Sequence, residues 1–381
     1  MKNFKSIVRK FLPSIIVIVL IVGYFLTGHG RISLKTIILL SRVSSRVNYN
    51  VLPMLGEKYS VETVEIENRD RMIPADIYRP DNDKENPAVI FLIGTQGLPR
   101  SLNVQKYADL FARAGFVVLV PEIDDLVGIK MRDNTTDEIV AIFDYLYTRD
   151  FVDKNRVGFS GICAGASMSL LATEDLRIND KVKFVNVISP YFDTWDFTWE
   201  VFTNQVVADG KAEVWHPNQI SVDQLKLWYL QQVGDTQEQE SLKDMILNGR
   251  IFSQDELGDF SERGRAVHNF LRSDNDDEFA KNRVLLPDDI KFQVEAISPN
   301  KKVGLLKAKV FILADSLDTT VNPQQSRRLA QSLPKDQVKF SYISSLDHVA
   351  PAKRLQRLGL IQDAVKLFLH VHSFLSYLDL R

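Results

Sequence analysis

The sequence predicts an α/β domain built on a mostly parallel central sheet flanked by helices, with an inserted helical cap and an N-terminal transmembrane helix. Three observations predict it. Short, continuously apolar runs such as Ala88-Val89-Ile90-Phe91-Leu92-Ile93 alternate with helix-length segments, the spacing of βαβ units. That alternation stops between about Tyr191 and Asn300 and then resumes. Ahead of it all, a basic flank leads into an unbroken apolar stretch.

That flank is Lys2, Lys5, Arg9 and Lys10, and Phe11 to Gly30 follows without Asp, Glu, Lys or Arg. As a helix, 20 residues at about 1.5 Å each reach about 30 Å, the thickness of a hydrocarbon core. Thr27-Gly28-His29-Gly30 makes a poor signal-peptidase site, so residues 1–30 are expected as a retained single-pass anchor. Arg31, Lys35, Arg42 and Arg46 balance the first flank, and the extracytoplasmic placement of the remainder rests on the usual dominance of that flank. Residues 31–58 read as a linker or interfacial amphipathic helix.

From Val61 the pattern becomes β. Val61 to Ile66 alternates, Asn68-Arg69-Asp70 turns, and Ile73 to Tyr78 returns, which predicts a hairpin. The strand Ala88 to Ile93 ends at Gly94-Thr95-Gln96-Gly97; a helix near Leu102 to Ala114, a strand at Phe116 to Val120, a helix at Thr136 to Tyr147 and a strand at Arg156 to Phe159 follow. Lys183 to Ile188 closes this part of the core, residues 59–190. Residues 191–300 are the expected cap, with helices near Val222 to Gln232 and Glu238 to Asn248; all four tryptophans lie in it, and Trp195 and Trp199 are candidate walls of an apolar pocket. The acidic group Asp274, Asp276, Asp277, Glu278 lacks metal-ligand spacing and reads as a solvated loop. The core resumes over residues 301–381 with strands Lys309 to Ala314 and Val338 to Ile343 and a last helix near Leu358 to Tyr377.

Composition narrows the function. Hydrophobic residues make up 45% and charged residues 25% of the 381, an ordinary globular balance, and a formal charge of −2 offers no basic field, so no nucleic-acid partner is expected. With one cysteine no intramolecular disulfide can form, and the thiol is either a small buried hydrophobe or a reactive group. Its surroundings decide for reactivity. Cys163 sits in Gly161-Ile162-Cys163-Ala164-Gly165, between a strand and the helical Ser167 to Ala172, with a small residue two places before and two after. Ser160 has Gly158 before it but Ile162 after it, which would crowd such a turn.

A thiol on a strand-to-helix turn, an acid after a later strand and a histidine after the last strand stand in the order nucleophile, acid, base. In these motifs the chain resembles the α/β-hydrolase superfamily. Its elbow, Arg156 to Gly165, looks like the dienelactone hydrolase branch and is similar to the cysteine acyl-CoA thioesterases and N-acyltransferases of that fold; Ala166 stands where a further glycine is usual. The resemblance aligns Asp318-Thr319-Thr320-Val321-Asn322-Pro323 with the family's acid loop and implies Asp318 as the triad acid, with Asp315 and Asp347 as alternatives. His348 is then the base, and backbone N–H groups of Ala164 and of Thr95 or Gln96 form the oxyanion hole. His29, His216, His268, His370 and His372 read as surface or satisfied core groups. The expected activity is hydrolysis of an ester or thioester of a small or lipid-like acyl compound through a Cys163 acyl-enzyme, with no metal or organic cofactor. Acyl transfer on the same fold, or a non-catalytic binding role, are the alternatives.

Overall fold

Strands that are apolar along their whole length need cover on both faces, and they occupy the middle of an eight-stranded sheet. A computed structural model describes residues 23–43, 56–69, 71–344, 346–347, 350–351 and 357–379. The sheet runs in the order β1 (Tyr59–Asn68), β2 (Arg71–Pro80), β4 (Val117–Pro121), β3 (Asn86–Leu92), β5 (Val152–Ile162), β6 (Phe184–Ile188), β9 (Lys309–Asp315) and β10 (Val338–Ile343). β1 pairs antiparallel with β2, as the hairpin reading expected, and β2 antiparallel with β4. The remaining neighbours are parallel. Every residue of β3, β4 and β6 is buried, whereas β1, at the edge, keeps the alternation of a half-covered strand.

Helices cover both faces: α1 (Gly28–Val43), α2 (Leu102–Arg113), α3 (Asp124–Val127), α4 (Thr135–Tyr147), α5 (Ala164–Glu174), and later α13 (Pro323–Ser332) and α14 (Arg357–Asp379). α5 is buried along its entire length. Its small residues permit that, and its hydroxyls are absorbed by back-bonding, Ser169 Oγ to Gly165 O at 2.7 Å and Thr173 Oγ1 to Ser169 O at 2.7 Å.

The N-terminal expectation is corrected. Among the described residues no helix is long and apolar enough to cross a membrane, contrary to the transmembrane helix expected from the sequence and to the extracytoplasmic placement built on it. Residues 1–22 and 44–55 lie outside the described residues. Gly28 to Gly30, expected as the end of the span, instead begin α1, and that helix packs on protein: Ile32, Thr36 and Leu39 are buried, and Lys35 pairs with Asp379 of α14 at 3.3 Å. Part of α1 thus has a protein partner, while Leu34 and Ile37 remain exposed.

Between β6 and β9 lie α6 (Thr194–Thr203), β7 (Gln205–Ala208), β8 (Lys211–Val214), α7 (Gln219–Leu230), α8 (Thr236–Asn248), α9 (Gln254–Gly258), α10 (Glu262–Leu271), α11 (Asp276–Leu285) and α12 (Asp288–Ala296). The segment was expected to be helical throughout, yet β7 and β8 form a hairpin turned by Asp209 and Gly210, both at positive φ. Asp-Gly between two short strands is a hairpin signal that was available in the sequence. The acidic group is likewise not a loop: Asp276, Asp277 and Glu278 fill the first turn of α11, where carboxylates meet the positive end of the helix dipole, and Asn275 caps it. Both ends of the segment are tied together where it leaves the sheet, Asn300 N–H to Phe192 O at 3.0 Å and Thr194 N–H to Ser298 Oγ at 2.8 Å. Gln325 of α13 accepts the N–H groups of Phe192 and Asp193, and α13 also holds Glu200 of α6 through Gln325 and Arg328.

Candidate active site

Cys163 stands between β5 and α5 with φ 56° and ψ −128°. A non-glycine residue held there costs about 1–3 kcal/mol and persists only where its surroundings over-determine it. They do: Cys163 N–H donates to Ile188 O at 2.9 Å, and Cys163 O accepts from Ala166 N–H at 3.0 Å and Ser167 N–H at 3.2 Å. Both flanking glycines are required by contact. A Cβ on Gly161 would come within 2.7 Å of Ala166 Cα, and one on Gly165 within 2.4 Å of Ile93 O. Ala166 thus sits against Gly161 itself, and its methyl is accommodated in the fully buried helix.

Ser160 belongs to another part of the molecule. It lies within β5, 2% exposed, and its Oγ accepts Asn186 Nδ2 at 3.1 Å. Asn186 Oδ1 meets His370 Nε2 at 3.1 Å, and His370 Nδ1 meets Ser341 Oγ at 3.0 Å. Burial, with a smaller effect from Lys339, pushes His370 down to about 4, so the ring is neutral and satisfied. Ser160 lines a cavity shared with α1 and α14, while Cys163 opens into a different one.

The loop after β3 reaches the Cys163 cavity at Thr95. A Cβ on Gly94 would stand 3.0 Å from Cys163 Cβ, so loop and elbow nearly touch. Gln224 of α7 clamps this loop, accepting Thr95 Oγ1 at 2.8 Å and donating to Gln96 Oε1 at 3.1 Å. The two N–H groups expected at the oxyanion hole differ. That of Gln96 (φ 57°) donates to Leu126 O at 3.3 Å, whereas that of Thr95 has no protein partner among the described residues.

The acid loop arrives from the other side. Asp318 is 2% exposed, and its Oδ1 accepts the N–H groups of Thr320 at 2.8 Å and Val321 at 3.0 Å, both of which line the cavity. Asp315 is equally buried, but its Oδ1 accepts Leu317 N–H at 2.6 Å on the strand side of the loop. Ser316 N–H donates to Ile343 O at 2.8 Å, so the ends of β9 and β10 leave the sheet together. Asp347 lies in β11 (Leu346–Asp347), paired with β12 (Ala350–Pro351); His348 lies outside the described residues.

These loops meet for a topological reason. β3 neighbours both β4 and β5, so the chain leaves β3 toward one edge of the sheet and β5 toward the other, and a crevice opens at the carboxyl ends between them. The cavity there measures about 50 Å³ and is roofed by the segment between β6 and β9. Trp195 and Trp199 do not line it. Trp195 packs edge-on against Phe270 under the Arg283 guanidinium, and Trp199 Nε1 donates to Asp276 Oδ1 at 2.9 Å. The walls are Phe197, Leu225 and Trp228, and Trp228 Nε1 is fixed on Met131 O at 2.8 Å. Ser221, Gln224, Leu225 and Trp228 line it at i, i+3, i+4, i+7 on α7, a helical face that the sequence already displayed. Tyr191, also missed, lines the cavity just after β6.

Over 87% of its length the chain superposes on 43% of the acylaminoacyl peptidase of Pyrococcus horikoshii, with a TM-score of 0.50 and 13% sequence identity. Est1E from Butyrivibrio proteoclasticus is similar over 82% of this chain and 99% of its own, at a TM-score of 0.46 and 15% identity. Among curated proteins, the Escherichia coli K12 protein YcjY, described as uncharacterized, is 41% identical over 64 residues, a match spanning 16% of this chain and 21% of that protein. No family model matches the chain.

Proposed function

Because the chain has the α/β-hydrolase fold, we propose that it is an acyl hydrolase that works through a covalent acyl-enzyme on Cys163. The observation that carries this reading is a strained cysteine at a strand-to-helix turn, opening into a mostly apolar cavity that the acid loop and the β3 loop also line. Cys163 stands immediately before the first turn of α5, at the positive end of that helix. The thiolate attacks the acyl carbonyl of an ester or thioester, and the oxyanion is held by the N–H groups of Ala164 and Thr95. Of the two β3-loop candidates Thr95 is the better supported, since the Gln96 N–H already has an acceptor. His348 takes the thiol proton, returns it to the leaving group as the tetrahedral intermediate collapses, and then activates water to release the acid. Asp318 orients the imidazole. One carboxylate oxygen of Asp318 is fixed by two N–H groups of its own loop.

Intact mass after brief exposure to an activated short acyl ester tests the proposal. Wild type and Ser160→Ala should gain one acyl group, and Cys163→Ala should gain none while remaining folded. Cys163→Ser should acylate more slowly, with a changed pH profile, because a hydroxyl ionises far less readily than a thiol. An adduct that persists in Cys163→Ala and disappears in Ser160→Ala would replace the cysteine assignment with a serine one.

A further inference from the structure

Tyr191 plays no part in that mechanism, yet it is held firmly beside the sulfur. Its main-chain carbonyl accepts Ser167 Oγ at 2.8 Å, four residues along from Cys163, and its ring stacks on Phe197 with centroids 5.8 Å apart and planes 7° apart. The residue is 5% exposed and its hydroxyl is buried without a hydrogen-bond partner among the described residues. Burial above all, and the neighbouring Cys163, raise its pKa beyond the ordinary tyrosine value, so the group remains a neutral O–H.

Three other hydroxyls around the cavity donate within the protein, Thr95 Oγ1 to Gln224, Ser221 Oγ to Thr320 O at 2.5 Å and Thr194 Oγ1 to Ile297 O at 3.3 Å, and that of Thr320 accepts Asn218 Nδ2 at 2.8 Å. The remaining surface is dominated by apolar side chains such as Phe197, Leu225 and Trp228. A buried donor without an acceptor is left desolvated and unpaired, a loss that a ligand oxygen at that position would recover. Space sets the other limit. A volume of about 50 Å³ holds a few water-sized groups, each needing about 10–15 Å³ on the same measure.

We propose that the Tyr191 hydroxyl is a specificity-determining donor, and that the cavity takes a short, mostly apolar acyl group carrying one hydrogen-bond acceptor, such as an ether or keto oxygen. The proposal rests on reading this cavity as the acyl site. It adds which acyl groups are preferred: those that satisfy Tyr191 over all-carbon analogues of the same length.

Calorimetric titration of the full chain tests this without turnover. Cys163→Ala and Cys163→Ala/Tyr191→Phe are each titrated with the N-methyl amide of 3-methoxypropanoate and with that of pentanoate, its all-carbon isostere. The single variant should bind the ether about 10-fold more tightly, and the double variant should bring the ratio close to one. Equal affinities in the single variant, a ratio that survives Tyr191→Phe, or no binding of either amide would overturn the proposal. Loss of an unpaired hydroxyl should leave the thermal midpoint unchanged or raised; should the double variant not fold, the ratio in Cys163→Ala alone decides. The two readings fail separately. A Tyr191-dependent preference in a protein that no ester acylates keeps this inference and discards the acyl-enzyme, while acylation of Cys163 without the preference does the reverse.

Discussion

Replacing Gly165 by alanine tests the elbow where its parts lie closest. A Cβ at that position meets Ile93 O at 2.4 Å and Leu92 O at 2.5 Å, whereas ordinary contact begins near 3.4 Å. Both obstacles are backbone atoms, so no side chain can swing aside. The start of α5 and the end of β3 would have to separate by about 1 Å, and overpacking of this kind costs about 1–3 kcal/mol. Alanine's helical preference over glycine returns at most about 1 kcal/mol, which leaves a net loss of up to about 2 kcal/mol. Gly359→Ala in α14 is the same chemical change with nothing within 4 Å of the new methyl, and it should stabilise by about 0.5–1 kcal/mol. Denaturant midpoints, compared at an unchanged m-value, read the opposite signs directly. The same separation moves Cys163 away from Thr95, so Gly165→Ala should also slow acylation of the thiol. A Gly165→Ala protein as stable as wild type, and acylated at the same rate, would refute the claim that backbone contact between α5 and β3 sets the elbow.

Trp228 walls the cavity proposed to take the acyl group, so Trp228→Leu should raise kcat/KM for hexanoyl over butanoyl esters by about 10-fold, at about 0.8 kcal/mol for each methylene admitted. Trp195→Leu should lower stability and leave that ratio alone; a ratio that moves equally in both variants would return Trp195 to the pocket wall. His370 makes stability depend on pH. Its folded pKa of about 4 lies below the unfolded value of about 6.5, so the unfolded chain binds more protons between them. Stability present above pH 6.5 is therefore lost as pH falls toward 4, by up to about 3 kcal/mol, and His370→Gln should flatten that slope. Urea midpoints at pH 7, 5.5 and 4.5 check it, and an unchanged slope in His370→Gln would remove the histidine as its cause.

Much of this architecture is local in origin and could be read from the chain itself. Strands β3, β4, β6 and β9 announce themselves because burial on both faces demands a continuous apolar run, and α2, α4 and α14 because a one-sided helix repeats its apolar residues every three to four positions. Gly161, Cys163 and Gly165 are legible for the same kind of reason. The contacts that forbid a Cβ arise within one strand-turn-helix unit and its immediate neighbour. Hydropathy could not decide what α1 packs against, because a face that is buried by lipid and one that is buried by protein have the same composition; Ile32 and Leu39 meet the protein core.

Side-chain direction in the segment between β6 and β9 was equally hidden. Trp195, Trp199 and Trp228 are chemically identical, and only the docking of α6 and α7 on the core turns Trp228 toward the sulfur and the others away. The expected oxyanion donors were separated only by the fold, since Leu126 O, 30 residues along the chain from Gln96, is what occupies one of the two N–H groups. Sequence by itself determined the strands of the central sheet, several of the helices between them and the cysteine at a strand-to-helix turn, because those depend on local periodicity and steric size. Tertiary structure decided which residues face the cavity and that the Tyr191 hydroxyl there is buried without a partner among the described residues, because those depend on distances between segments far apart in the chain.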